Sequence, residues 1–190
     1  FVPREQTEEL ARRAAAVLPD DGWALDLCTG TGAVAAHLRA VRPGATVIAT
    51  DVDGGAAANA GRNGVAAVVT DLDAALAPTA AFDVVTAVAP YVPRGDLHLL
   101  PADVQRHEPR VALDGGVDGL DVVRRIVAVA RRRLRPGGWL LVEIGGAQDV
   151  ALAPDLGRAG FTDVTTWRDE DGDLRGLAAR RSRFRVATVS

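Results

Sequence analysis

Asp26-Leu27-Cys28-Thr29-Gly30-Thr31-Gly32-Ala33 lies between a short apolar run, Trp23-Ala24-Leu25, and an amphipathic one, Ala33 to Val41. That order reads as a strand, a tight glycine turn and a helix. Glycine permits backbone angles that a β-carbon forbids and lets the main chain come close to a ligand. The helix after the turn offers unpaired N–H groups and the positive end of its dipole. A ligand with polar or anionic atoms is expected at Gly30 and Gly32.

Two cofactors suit such a turn. Gly30-x-Gly32-x-x-Ala35 fits the dinucleotide fingerprint, and Asp51 follows about twenty residues on, where an acid grips a ribose. S-adenosylmethionine (SAM) also carries an adenosine and suits the same geometry. Asp26 ahead of the glycines, together with the residues after the fourth strand, favours SAM. The plainer alternative is a glycine turn that only packs a helix on a strand, and that alternative does not call for the acid at Asp51.

Outward from the turn, the chain alternates strands and helices. Thr7 is expected to cap a helix from Glu8 to Val17, and Pro19-Asp20-Asp21-Gly22 is a turn. Strand two runs from Thr46 to Thr50 and ends at Asp51. Gly54 to Arg62 reads as a helix stopped by Asn63-Gly64. Val65 to Thr70 is strand three, ending on Asp71, and Phe82 to Val88 is strand four. An irregular stretch from Ala89 to Val117 follows. Loops this long inside a compact domain are usually functional. Asp118 to Leu134 reads as a long helix whose basic end, Arg131-Arg132-Arg133, suits the helix dipole. Pro136-Gly137-Gly138 turns into strand five, Trp139 to Ile144. Ala151 to Ala159 is a helix, and Phe161–Trp167 and Leu174–Arg181 flank a hairpin at Asp169-Glu170-Asp171-Gly172. The alternation predicts an α/β fold: a mostly parallel sheet with right-handed crossovers and a C-terminal antiparallel hairpin.

The 190 residues read as one domain, 1–190, with enough apolar content (48%) for a proper core. The net charge of −3 argues against a broad basic surface for nucleic acid. No apolar run approaches the roughly 20 residues of a membrane span, and no signal peptide is apparent at the start. The single cysteine excludes an internal disulfide, so a cytoplasmic protein is expected. Every basic Lys-or-Arg position is Arg, and Met is absent, so Phe1 is not expected to be the translational start. His37, His98 and His107 lack metal-ligand spacing, and no metal is expected.

Taken together, Phe1-x-Pro3-Arg4-x-x-Thr7-Glu8, Asp26-Leu27-x-Thr29-Gly30-x-Gly32-Ala33, Asp51, Asp71, Pro90-Tyr91, Glu108-Pro109, Gly116-x-Asp118-Gly119, Gly137-Gly138-x-Leu140-Leu141-x-Glu143, Gln148 and Gly160-Phe161 form a pattern in order and spacing. The chain resembles the HemK family, the release-factor glutamine methyltransferases, and its high-GC relatives of unassigned substrate. The resemblance implies the seven-stranded class I SAM-dependent methyltransferase fold, without the small helical N-terminal domain typical of the family. It implies SAM as cofactor and S-adenosylhomocysteine as product. Asp26 and Cys28, Thr29, Gly30, Thr31 and Gly32 would wrap the methionine part, with Val88 beside it. Asp51 would hold the ribose, and Asp71 and Leu72 would border the adenine. Phe1, Pro3, Ala89, Pro90 and Tyr91 would meet the acceptor, a protein or a small molecule.

The family's signature after strand four is Asn-Pro-Pro-Tyr. Here it reads Val88-Ala89-Pro90-Tyr91. An amide nitrogen is a poor nucleophile, because its lone pair is delocalised into the carbonyl. The signature answers by orientation: the Asn oxygen and a backbone carbonyl accept the amide protons, and the aromatic ring packs on the planar group. Val88 has no acceptor atom. Three functions follow: glutamine methylation with Val88 tolerated, methylation of another nucleophile such as a small-molecule hydroxyl or amine, or SAM binding without transfer. In the second, His98 or His107 is the candidate base. A nucleophilic Cys28 is a fourth idea, and no neighbouring His in the sequence supports it.

Overall fold

The computed structural model describes residues 5–183, so the expectations for Phe1 and Pro3 lie outside the described residues. In chain order the elements are α1 (Glu5–Val17), β1 (Trp23–Leu27), α2 (Ala33–Val41), β2 (Thr46–Asp51), α3 (Gly54–Arg62), β3 (Ala66–Val69), β4 (Phe82–Ala87), α4 (Ala102–His107), α5 (Asp121–Arg133), β5 (Leu134–Glu143), α6 (Gln148–Arg158), β6 (Phe161–Arg168) and β7 (Leu174–Arg181). The seven strands form one sheet in the order β3-β2-β1-β4-β5-β7-β6. Strands β3 through β5 are parallel, and β7 is antiparallel to both of its neighbours. The expected architecture is therefore present.

Successive side chains of a strand point to opposite faces, and both faces of this sheet are covered. Leu25, Leu27, Val85, Leu140 and Val142 pack with Val123, Ile126 and Val127 of α5 and Leu152 and Leu156 of α6. Ala24, Val84 and Leu141 point the other way and pack with Leu10 and Ala14 of α1 and Val34 and Leu38 of α2. Such double burial gives near-continuous apolar strands, as in β4, where only Asp83 is not fully buried. The chain leaves β1 toward β2 on one side and β4 toward β5 on the other. Ligands bind outside the carboxyl ends of strands at such a divergence.

Four local readings change. Helix α1 begins at Glu5, and Thr7 sits inside it with a buried side chain rather than capping its end. Helix α5 starts at Asp121, because Gly119 has φ +77° and turns the chain first. Strand β5 reaches back to Leu134, which pairs with Phe82, while Trp139 pairs with Val84. Residues 135–138 thus bulge out of the strand instead of preceding it. The basic end of α5 also does more than meet its own dipole: Arg133, 8% exposed, donates to Asp73 and to the carbonyls of Leu76, Ala77 and Pro78, and Arg132 donates to Asp73. These contacts hold down the connection between β3 and β4. Among the described residues, no helix is long and apolar enough to cross a membrane.

Candidate active site

The turn after β1 is built from the residues that the sequence singles out. Cys28, Gly30 and Gly32 have φ values of 54°, 56° and 78°. A β-carbon on Gly32 would lie 2.9 Å from Cα and Cβ of Ala60, so glycine is what lets α3 pack against the turn. Asp51, at the end of β2, accepts from the Gly30 N–H at 2.8 Å and from the Asp53 N–H at 2.9 Å. Asp53 caps α3 by accepting from Gly55 and Ala56.

Asp26 is 1% exposed and accepts from the hydroxyls of Thr29 at 2.5 Å and Thr86 at 2.7 Å. The sheet register sets Thr86 directly beside Asp26. Burial pushes the Asp26 carboxyl up to about 6, against the lowering effect of its hydrogen bonds. Because the folded-state value lies above the unfolded one, the ionised group opposes folding. This cost is absent below about pH 4, grows between 4 and 6, and is complete above 6. Asp26→Asn should therefore gain stability over the native chain, measured by urea melts without cofactor, by on the order of 1–3 kcal/mol more at pH 7 than at pH 4. Parallel stability curves would show that Asp26 does not titrate in this range.

A cavity of about 750 Å³ opens beyond the carboxyl ends of β1, β2 and β4. Its walls bring together Cys28, Gly30, Thr31 and Asp51 with Val88, Ala89, Pro90 and Tyr91. The glycine turn and the motif after β4 thus share one space. The far wall is aliphatic: Val92, Leu100, Pro109, Val111, Ala112 and Leu113. Asp26, Thr29, Thr31 and Val88 also border a smaller recess with Thr7 of α1. Asp71 and Leu72 lie near Cys28 but are not part of the lining: Asp71 is exposed and pairs with Arg125 at 2.7 Å, and Leu72 is buried in the core with φ 52°. Neither lines the cavity. Instead the near wall is the outer side of α3, at Gly55, Ala56, Asn59 and Arg62, which the sequence reading did not assign.

Between Val92 and Asp114 the long stretch is folded rather than loose. Val92 N–H donates to Leu113 and Gly115 N–H donates to Val92, so the two ends are paired, and Arg94 adds an ion pair to Asp114 at 3.1 Å. Inside lie α4 and two short 3₁₀ helices, Arg94–Leu99 and Arg110–Ala112. His98 and His107 are exposed and do not line the cavity. Burial, reinforced by Asp51 and Asp26, pushes the Cys28 thiol up to about 12. At neutral pH it is a protonated wall of the turn and not a nucleophile. Among the described residues no cluster of three or more His, Cys, Asp or Glu side chains is arranged to hold a metal ion.

This arrangement fits SAM. The glycine turn and Asp51 offer polar groups for a nucleoside and an amino-acid part. The volume exceeds what a nucleoside alone requires and continues along the aliphatic wall.

No family model matches the chain. It is 38% identical over 95% of its length to a release factor glutamine methyltransferase of Geobacter sulfurreducens, covering 65% of that protein. It is 41% identical over 95% of its length to the one of Mycolicibacterium smegmatis, covering 67%. The chain thus spans about two thirds of the length of these curated relatives. A solved protein-(glutamine-N5) methyltransferase, release factor-specific, from Alicyclobacillus acidocaldarius superposes with a TM-score of 0.58 at 23% identity. That superposition covers 95% of this chain and 94% of the other. The shared fold is the class I SAM-dependent methyltransferase fold.

Proposed function

Because this chain belongs to the release factor glutamine methyltransferase (HemK) family, we propose that it transfers the methyl group of SAM to the side-chain amide nitrogen of a glutamine in a protein acceptor. The observation that carries this reading is the single cavity joining the Asp26–Gly32 turn and Asp51 to the Val88–Tyr91 motif. The bound sulfonium supplies an electrophilic methyl group. Transfer would form a C–N bond as the C–S bond breaks, with one amide proton released to solvent, leaving an N-methyl amide and S-adenosylhomocysteine. The relatives named above are all named for glutamine in a release factor, so a small-molecule acceptor and a non-catalytic role gain no support from them.

The chain's own residues divide the work. Asp51, already holding two backbone N–H groups, faces the cavity at the position suited to ribose hydroxyls. Gly30 and Thr31 shape the wall for the methionine part. Tyr91 and Pro90 border the acceptor and restrict the plane in which an amide can lie. Ala89 retains a backbone carbonyl able to accept one amide proton. Val88, half-buried and lining both the cavity and the recess behind it, offers only methyl groups where the second proton needs an acceptor. The amide is therefore held at one fewer point, and transfer is slow for the family rather than absent.

Val88→Asn should raise kcat on a glutamine-containing peptide by roughly 10- to 100-fold, about 1–3 kcal/mol of transition-state stabilisation, with SAM affinity little changed. Labelled SAM and mass spectrometry of the peptide provide the measurement. A native chain already fast on the peptide and no faster as Val88→Asn would show that position 88 does not set acceptor orientation. No transfer to the peptide by either chain would remove the glutamine reading itself.

A further inference from the structure

Tyr91 lines the cavity, yet its hydroxyl is taken up by groups that do not. The hydroxyl donates to Oε1 of Glu143 at 2.9 Å and accepts from Nε2 of Gln6 at 2.7 Å. Nε2 of Gln6 also donates to Oε1 of Glu143 at 2.7 Å, and the Thr7 hydroxyl donates to Oε2 at 3.0 Å. Glu143 is the last residue of β5 and is 1% exposed. A buried carboxylate is tolerated only where donors meet its charge. Here the donors come from three side chains on two parts of the chain far apart in sequence, α1 and the motif after β4.

The other end of residue 91 is held as well. Nε2 of Gln148 donates to the Tyr91 carbonyl at 2.8 Å, while Oε1 of Gln148 accepts from the Gly145 N–H. A β-carbon on Gly119 would overlap that same carbonyl. A ring needed only for apolar packing could be phenylalanine. In this chain the phenol uses both its donor and its acceptor capacity, which fixes the swing and tilt of the ring as well as its place.

We infer that Glu143, with Gln6 and Thr7, is a positioning group for Tyr91, locking the ring against which the acceptor lies and making α1 part of the acceptor site. The kinetic side of this inference rests on the proposed amide transfer; the contact itself does not. A preorganised ring needs no ordering when the acceptor arrives, so its effect falls on the chemical step more than on cofactor binding. The path runs from α1 through one buried carboxylate to the cavity wall. Displacing α1 would release the ring.

Tyr91 is the single tyrosine of the chain, so isotope-labelled tyrosine gives one set of ring resonances. Glu143→Gln and Gln6→Ala should each shift the resonance of the ring carbon bearing the hydroxyl. An unmoved resonance in both variants overturns the inference. In methyl transfer to a glutamine peptide, Tyr91→Phe and Glu143→Gln should each lower kcat on the order of 10-fold, with KM for SAM unchanged. The double variant should be no slower than Tyr91→Phe alone, since both changes break one contact. Unchanged kcat in Tyr91→Phe, or losses that multiply in the double variant, would overturn it. If Glu143→Gln does not fold, Tyr91→Phe and Gln6→Ala still decide. If the native chain methylates no glutamine peptide, the proposed reaction fails and the resonance shift alone decides the contact.

Discussion

Asp51→Ala should weaken SAM binding by about 1.5–3 kcal/mol, the usual scale for hydrogen bonds to a charged group, or roughly 10- to 150-fold in Kd. Two effects combine. In the proposed function the carboxylate meets the ribose hydroxyls from the cavity wall, and it also ties Gly30 in the turn after β1 to Asp53 at the start of α3. Removing it leaves the Gly30 N–H without that acceptor, so part of the loss comes from the turn itself. Calorimetry with SAM, alongside NAD as the rival adenosine ligand, separates the readings. Unchanged SAM affinity would show that Asp51 is not the ribose ligand, and tight NAD binding with no SAM binding would replace the cofactor altogether.

The largest loss of stability is expected far from the cavity. Asp73 is 3% exposed and meets both Arg132 and Arg133. Burial pushes its carboxyl upward, but hydrogen bonds from the two guanidinium groups overcome this and hold it below the ordinary range. Arg133, itself 8% exposed, would be left with a buried charge and only carbonyl partners in Asp73→Ala. Breaking a buried pair from one side costs about 3–5 kcal/mol, because the stranded charge stays in the interior. The midpoint of urea unfolding should fall accordingly. Asp71→Ala, which breaks the exposed pair with Arg125, should cost no more than about 1 kcal/mol. Equal losses in the two variants would mean that burial does not set the value of the Asp73 pair. Since the folded-state carboxyl of Asp73 lies below its unfolded value, its contribution is present at neutral pH and fades as pH falls through the acid range.

The parts of the molecule governed by local pattern are legible in the sequence. Gly54–Arg62 and Leu174–Arg181 fall where their periodicity and stop signals place them, and the order of strands and helices fixes a mostly parallel sheet. The glycine turn is legible for the same reason: tight backbone angles, an acid before and an acid after are local demands. What escapes is contact across the sheet. Thr86 meets Asp26 only through strand register, and Glu143 reaches Tyr91 only because β5 lies beside β4. Thr7 reads as a helix cap from its neighbours, but the acid at the end of β5 claims its hydroxyl. Asp71 sits two residues beyond β3, and its side chain pairs with Arg125 of α5 in an exposed ion pair that is not part of the cavity lining. A one-residue signal at a strand end gives the position of a carboxylate and not its direction.

The pairing of Val92 with Asp114 has a consequence for how such a pocket can change over generations. With the two ends already joined, the irregular turns inside this cassette can lengthen at small cost: doubling a flexible loop costs only about 0.6 kcal/mol of closure entropy. Leu100, Pro109, Val111 and Leu113 all lie on that cassette, whereas Gly30, Asp51 and Tyr91 do not. Replacing the insert would change that wall of the cavity and leave Gly30, Asp51 and Tyr91 in place. The segment between Val92 and Asp114 carries one wall of the cavity, while the glycine turn and the Val88–Tyr91 motif that form the rest lie outside it.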